Sequence, residues 1–136
     1  GIRFSGADVV FGGDLRGFAF EYMTGGRAIV LGDPGRWICS GMSGGVVFLR
    51  HAPERGLDER AMRDRFAKGA KVSLKVPADE DVAILRELVG AYADTLATGG
   101  QDDAANDARR LLDDPGSSFR VVRPGADIVE QTISTE

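Results

Sequence analysis

The sequence predicts a mainly β fold with an α-helical tail, in which about three turns of a parallel β-helix are capped by a C-terminal α+β segment. Two observations support this prediction: a 19-residue repeat covers residues 4–49, and the composition changes near Arg50. Twelve of the 19 glycines lie in the first 50 residues, whereas the later part is rich in charged residues, alanine and leucine. A period of this length with two short strands is too short for a pair of helices and suits one turn of a β-helix.

The repeat is visible when the chain is shifted by 19 positions. Residues 4–7 then align with residues 23–26 and 42–45, and each block leads into a run of branched and aromatic residues, at 8–11, 27–30 and 46–49. Such residues favour strands. A further aligned pair, residues 18–20 and 37–39, predicts a second short strand in each turn.

Stacked repeats place equivalent side chains on the same face, because side chains alternate along a strand. One column is expected to fill the coil and contains Val9, Phe11, Ala28, Val30, Val47 and Leu49. The opposite column is also apolar and contains Val10, Ile29 and Phe48. An apolar outer column implies that the tail helices or another domain cover it.

Glycines recur at matching positions of the repeat and are interpreted as structural. Corners of a solenoid need positive φ or close backbone approach, which glycine permits. Glycine-rich turns can also cradle phosphate, but no Gly-x-Gly-x-x-Gly opens a helix here and no Gly-Lys-Ser follows. The predicted structural glycines are Gly6, Gly25, Gly26, Gly32, Gly44 and Gly45.

The repeat stops after Leu49, and the tail has helical and strand patterns. Helices are predicted at 57–67, from Asp79 to Gly99, and at 103–112, with strands at 71–76 and 119–122. The second helix has a buried stripe of Leu85, Leu88, Val89, Tyr92 and Leu96, and the third is expected to bury Ala104, Ala108, Leu111 and Leu112. We expect a single domain over 1–136, with β-helix turns at 1–50 and the helical tail with two short strands at 51–136.

Composition narrows the classes of function. The chain is 43% hydrophobic and 28% charged, without an apolar run of about 20 residues, which predicts a soluble protein with no membrane partner. A net charge of -4 argues against nucleic acid as a partner. A single Cys39 and a single His51 cannot form a disulfide or a Cys/His metal site, and a cytoplasmic location is predicted. Gly1 and the lack of a visible signal peptide suggest a fragment or a processed chain.

Three polar residues are the candidates for a ligand or catalytic site: Glu21, Arg36 and His51. Glu21 aligns with Ser40 in the next repeat, so a hydrogen-bonded structural role is favoured over catalysis. His51 is interpreted as a loop residue, and Cys39 aligns with Phe20, which predicts a place in the core. The basic residues between Arg55 and Lys71 are interpreted as a solvated helix face. No catalytic, cofactor or metal site is predicted in this chain.

Several segments resemble a known family. They are EYMTGG at residues 21–26, VLG at 30–32, GR at 35–36, GMSGG at 41–45, DED at 79–81, LREL at 85–88, TG at 98–99 and FRVVRP at 119–124. Together they resemble the C-terminal glycine-repeat (GXGXG) domain of the glutamate synthase large subunit.

This resemblance implies a right-handed parallel β-helix that performs no chemistry itself. In glutamate synthase, an oxidoreductase of glutamate biosynthesis, such a domain would scaffold the amidotransferase and synthase domains that make glutamate from glutamine and 2-oxoglutarate. The resemblance further implies that FMN and the iron–sulfur cluster are bound in other domains and that this chain binds no cofactor.

The sequence departs from the family in having only about three turns and no catalytic domain. We therefore expect the chain to be a fragment or a stand-alone relative. The alternative is a stand-alone β-helix protein that binds a small ligand or a partner protein, with a pocket around Glu21, Arg36 and His51. A related solenoid of this kind occurs in one of the polypeptides of formylmethanofuran dehydrogenase. The edge of the first turn invites pairing with other domains, or with a second copy in a homo-oligomer.

Overall fold

A computed structural model of the chain describes residues 7–125. Residues 4–6 of the predicted repeat, including Gly6, lie outside these residues. The strands are β1 (Asp8–Phe11), β2 (Thr24–Val30), β3 (Gly44–Arg50), β4 (Val72–Lys75) and β5 (Phe119–Pro124). A 3-10 turn spans Pro53–Arg55, and the helices are α1 (Glu59–Arg65), α2 (Asp79–Thr98), α3 (Asp102–Arg110) and α4 (Pro115–Ser118).

The five strands form one mixed sheet in the order β1-β2-β3-β5-β4. The first three strands are parallel, and their register follows the repeat: Val10 lies opposite Ile29, and Ile29 lies opposite Phe48. β5 then pairs antiparallel with both β3 and β4. The 19-residue spacing is thus confirmed within the parallel strands.

The predicted right-handed parallel β-helix is wrong, because the structure has a single open sheet within a mixed α/β domain. Residues 18–20 and 37–39, predicted as second strands, form turns and bends in which Phe18, Phe20, Trp37 and Cys39 all have φ between 54° and 65°. This left-handed conformation is incompatible with an extended strand. The far side of β3 is occupied by antiparallel β5, so the parallel series ends there.

One face of the sheet packs against its own connecting loops and α1. The predicted inner column is confirmed: Ala28, Val30, Val47 and Leu49 are fully buried, with Val9 and Phe11 partly buried beside them. Cys39 is buried in the same cluster, as predicted, and burial raises the pKa of its thiol to about 12. It therefore behaves as a small apolar core residue.

The opposite face is covered by α2 and α3, so the tail helices are the cover that the apolar outer column requires, although Val10 of this column is only partly buried. Ile29 and Phe48 are fully buried there together with Leu85 and Val89 of α2. Of the residues predicted to be buried in the third helix, Ala108 is buried and Leu111 and Leu112 are partly buried, whereas Ala104 is exposed. Ala105 is buried in its place. Residues three apart share a helix face, whereas Ala104 is rotated by about 100° from Ala105.

The start of α2 is anchored by the acidic segment that the sequence placed there. The Asp81 carboxylate accepts hydrogen bonds from the Ala78 amide at 2.9 Å and from Arg123 at 2.6 Å. The side chain of Asp81 is almost fully buried, and the Arg123 partner comes from β5. This ion pair therefore fixes the helix to the sheet.

Candidate functional site

The loops after β1 and β2 stack on each other and create an outer layer on the domain. Leu15, Phe18 and Tyr22 donate backbone hydrogen bonds to Asp33, Arg36 and Ser40, respectively, with N–O distances of 2.7–2.8 Å. The second loop in turn bonds to the end of α1 through Ile38 and residues 65–67. We call β1 and the following loop, residues 8–23, the outer edge.

Exposed aromatic side chains project from these two loops. The rings of Phe18 and Trp37 stack with their centroids 4.9 Å apart, yet Phe18 is 59% exposed and Trp37 is 51% exposed. Tyr22, in the same loop as Phe18, is 54% exposed. All three have positive φ, which is unfavourable for bulky side chains. The fold thus holds three aromatic rings at the surface in a strained backbone conformation.

A second feature is a groove of about 530 Å³ at the carboxyl ends of the parallel strands, which we call the strand-end groove. Its sheet side is formed by Gly12 and Gly13 after β1, Leu31 and Gly32 after β2, and Arg50 at the end of β3. Carboxyl ends of parallel strands meet at one edge of a sheet and commonly form ligand sites.

The helical side of the strand-end groove is largely apolar. Tyr92 and Leu96 of α2 face Ala108 of α3 and Leu111, which follows α3. A Cβ on Gly12 would overlap the hydroxyl group of Tyr92, so the lack of a side chain at Gly12 lets the end of the Tyr92 ring approach the turn after β1. The groove therefore has one apolar wall.

Charged residues surround the mouth of the strand-end groove: Arg50, Arg55, Arg110, Asp14 and Asp107. Burial, followed by the nearby Arg55 cation, lowers the pKa of Arg50 from its ordinary value. A guanidinium nevertheless stays charged in proteins. The groove consequently carries three cations against two carboxylates.

The turn after β2 is fixed by an ion pair next to the groove. The Asp33 carboxylate accepts two hydrogen bonds from Arg65 of α1, both at 2.8 Å, and one from the Gly35 amide at 2.8 Å. The Asp33 amide donates to the Asp14 carboxylate at 2.7 Å. These contacts connect the two stacked turns and explain the paired aspartates of the repeat.

Replacing Asp33 by asparagine is expected to lower the free energy of unfolding at pH 7 by about 1 kcal/mol. The hydrogen bond from Arg65 lowers the pKa of Asp33 to about 2, and the 38% exposure of the carboxylate side chain reduces the contribution through solvent screening. Because the folded-state pKa is depressed, this stability is present above about pH 4 and is lost as the pH falls towards 2. Urea unfolding of both proteins between pH 2 and 7 measures the effect.

Exposed Asp113, which follows α3, provides the control for this experiment. Asp113→Asn removes the same charge and should leave the pH dependence unchanged. A constant stability difference between Asp33→Asn and the wild type from pH 7 down to pH 2 would contradict the assigned role of the ion pair.

The three polar candidates from the sequence lie in different places. Glu21 lies in the loop before β2, and Arg36 lies in the loop before β3, where its backbone contacts Phe18. The His51 ring is 2.8 Å from the Ser117 carbonyl, with Nδ1 as the contacting atom. No described contact joins these three side chains, and none of them lines the strand-end groove. A ligand site formed by them remains a prediction.

The repeat glycines lie within the strands and turns of the sheet. Gly26 and Gly45 have φ of 84° and 81°, and the β2–β3 register shifts between Thr24 and Arg27, where Gly25 and Gly26 lie. Gly32 passes close to the backbone of the turn after β1, and Gly44 passes close to the carbonyl of Thr24. Four of the predicted structural glycines thus have positive φ or a close backbone approach: Gly26, Gly32, Gly44 and Gly45.

Sequence reasoning did not identify the strand-end groove, although a signal existed. Arg50 occupies the repeat position of Gly12 and Leu31, so a charge replaces small or apolar residues. Arg55 was assigned to a solvated helix face, but it ends the 3-10 turn at the groove. The arginine at position 50 breaks the repeat, although the stacking of the strands does not require a charge there. This departure was the sequence signal for the groove.

Residues 7–125 contain no group of three or more His, Cys, Asp or Glu side chains placed to hold a metal ion. Within the same residues, no helix is long and apolar enough to cross a membrane.

Comparison with known proteins identifies the class. Residues 1–114 match the family described as "GXGXG motif", and the chain belongs to this family. Over 48 residues it is 46% identical to the glutamate synthase [NADPH] large chain of Bacillus subtilis, an alignment that covers 35% of this chain and 3% of the relative. The glutamate synthase [NADH] of Schizosaccharomyces pombe is also 46% identical over 48 residues, covering 35% of this chain and 2% of the relative.

A third relative is the ferredoxin-dependent glutamate synthase of Cyanidium caldarium. It is 58% identical over 31 residues, which cover 23% of this chain and 2% of the relative. The chain is thus a GXGXG domain homologous to part of the glutamate synthase large subunit, and its matched segments span 2–3% of the length of these relatives.

Proposed function

We propose that this chain is a non-catalytic structural domain of a cytoplasmic glutamate synthase, where it holds the amidotransferase and synthase domains in place. The main supporting observation is the outer edge with its exposed aromatic side chains. Exposed aromatic residues that the fold holds at a surface are typical of protein interfaces. FMN, the iron–sulfur cluster and the reaction of glutamine with 2-oxoglutarate would then belong to the other domains.

The two edge strands of the sheet, β1 and β4, differ in how well they could pair with another chain, and this difference supports the proposed function. Among the described residues, β1 pairs with β2 alone, and β4 pairs with β5 alone. β4 carries Ser73 and exposed Lys75, and lysine on an edge strand discourages pairing with another chain. β1 carries no lysine, and the outer side of its backbone has no neighbouring strand within residues 7–125. The β1 edge therefore suits a contact with a neighbouring domain.

The first step of the test is to detect the native polypeptide in source cells with an antibody against this domain. A polypeptide several times longer than 136 residues is expected, whereas a native chain of this length contradicts the proposal. If the longer polypeptide is found, its remainder can be produced separately and mixed with the present chain. Binding between the two parts is then measured by calorimetry.

The double substitution Phe18→Ser and Trp37→Ser is expected to weaken this binding at least about tenfold, because aromatic side chains at the centre of an interface contribute most of its affinity. Val76→Ser is the matched control, since Val76 is 57% exposed but lies next to β4. Unchanged affinity in the double variant, with circular dichroism showing a folded domain, would rule out the aromatic residues as the contact.

A further inference from the structure

Arg50 is a half-buried cation at the end of β3, and the nearby Glu54 and Asp107 carboxylates offset its burial only in part. Its Nε is buried without a hydrogen-bond partner, and no salt bridge among residues 7–125 includes it. Burying a charged or polar group without a partner is unfavourable. A protein keeps such a group where an external ligand completes its hydrogen bonds or where it has another use.

The acidic residues of the strand-end groove have hydrogen-bond partners other than Arg50 and Arg55. Asp107 binds Arg110 at 2.7 Å on the exposed surface of α3, and Asp14 accepts the hydrogen bond from the Asp33 amide. Arg55, like Arg50, has no ion pair within residues 7–125. The Arg55 cation therefore opposes the charge of Arg50, and the carboxylates near Arg50 attract it without forming an ion pair with it within residues 7–125.

The dimensions and the walls of the strand-end groove limit what can bind there. Its volume of about 530 Å³ lies within the range of small-molecule sites. The wall formed by Tyr92, Leu96 and Leu111 suits an apolar body, whereas the arginines suit an anionic group. Guanidinium groups bind carboxylate and phosphate through two parallel hydrogen bonds.

We propose that the strand-end groove binds a small organic anion, with a carboxylate or phosphate group held by Arg50 and Arg55 and an apolar body against Tyr92 and Leu96. The ligand would supply hydrogen-bond acceptors to the part of the Arg50 guanidinium that lines the groove. This binding activity goes beyond the structural role proposed above, because a scaffold needs no such site.

The 136-residue chain is titrated by calorimetry at low salt with benzoate, phenyl phosphate, inorganic phosphate and neutral benzyl alcohol. Benzoate or phenyl phosphate is expected to bind with a Kd below about 1 mM, and benzyl alcohol at least about tenfold more weakly. Preferential binding of benzoate identifies a carboxylate ligand, and preferential binding of phenyl phosphate identifies a phosphate ligand. Either result supports the proposal.

Arg50→Gln and, separately, Arg55→Gln are each expected to weaken binding of the preferred anion at least about tenfold. Arg60→Gln on α1 removes the same charge from an exposed residue outside the groove and should change the Kd less than about twofold. Arg55 lies in an exposed turn, so its variant tests the site even if Arg50→Gln does not fold.

Three outcomes would overturn the proposal. The first is that none of the anions binds. The second is an equal loss of affinity in Arg60→Gln and Arg55→Gln, which would indicate general charge attraction. The third is inorganic phosphate binding as tightly as phenyl phosphate and benzoate, which would show that the apolar wall contributes nothing.

Discussion

Replacing Phe48 by alanine is expected to lower the free energy of unfolding by about 3–5 kcal/mol. Phe48 is fully buried in the middle of β3, where α2 and α3 cover the sheet. Its removal leaves a cavity that the rigid sheet and the two helices cannot easily close. The urea midpoint should fall while the slope of the transition stays the same, which is the signature of a stability change alone.

Phe18→Ala is the control for this experiment. Phe18 is 59% exposed and contacts the exposed ring of Trp37, so its loss should cost about 1 kcal/mol or less. Equal destabilisation by Phe18→Ala and Phe48→Ala would mean that the tail helices do not cover this face of the sheet.

Gly44→Ala is expected to destabilise the domain by about 3 kcal/mol. A Cβ at this position would overlap the carbonyl oxygen of Thr24 and lie 2.8 Å from its carbonyl carbon. The obstacle is backbone in a neighbouring strand, so no side-chain rotation can relieve it. β2 and β3 would have to separate at the point where the Ser43 and Gly44 amides both donate to the Met23 carbonyl.

Gly90→Ala is the control for Gly44→Ala, because it is expected to stabilise the domain rather than destabilise it. Gly90 lies inside α2, and a Cβ there meets nothing within 4 Å. Alanine should therefore stabilise the helix by about 0.5–1 kcal/mol relative to glycine. Both variants are compared by urea unfolding, and a Gly44→Ala protein as stable as the wild type would refute the close strand approach.

The register of the parallel strands could be predicted because it depends on a local pattern that the sequence repeats. Val10, Ile29 and Phe48 are separated by 19 residues, and a one-residue slip would move each of them to the other face. Both faces are apolar, so the need for a cover over this column was also predictable. The helices that provide it were recognisable from their own periodicity.

The same pattern could not show that the β-helix prediction was wrong, because Phe18, Phe20 and Trp37 have side chains that favour strands. Their left-handed conformation depends on the stacking of one loop on another through backbone hydrogen bonds. Gly17 and Gly35 in the same loops have positive φ and mark turns in the sequence, but the aromatic residues that follow them do not indicate that the left-handed conformation continues.

Side-chain periodicity was enough to predict the spacing of the parallel strands, the two apolar faces of the sheet and the helices of the tail. The antiparallel pairing of β5 with β3, and the groove in which Arg50 meets α3, became visible only in the folded domain. Such contacts join residues far apart in the chain, and their free energy depends on burial and packing that no local pattern encodes.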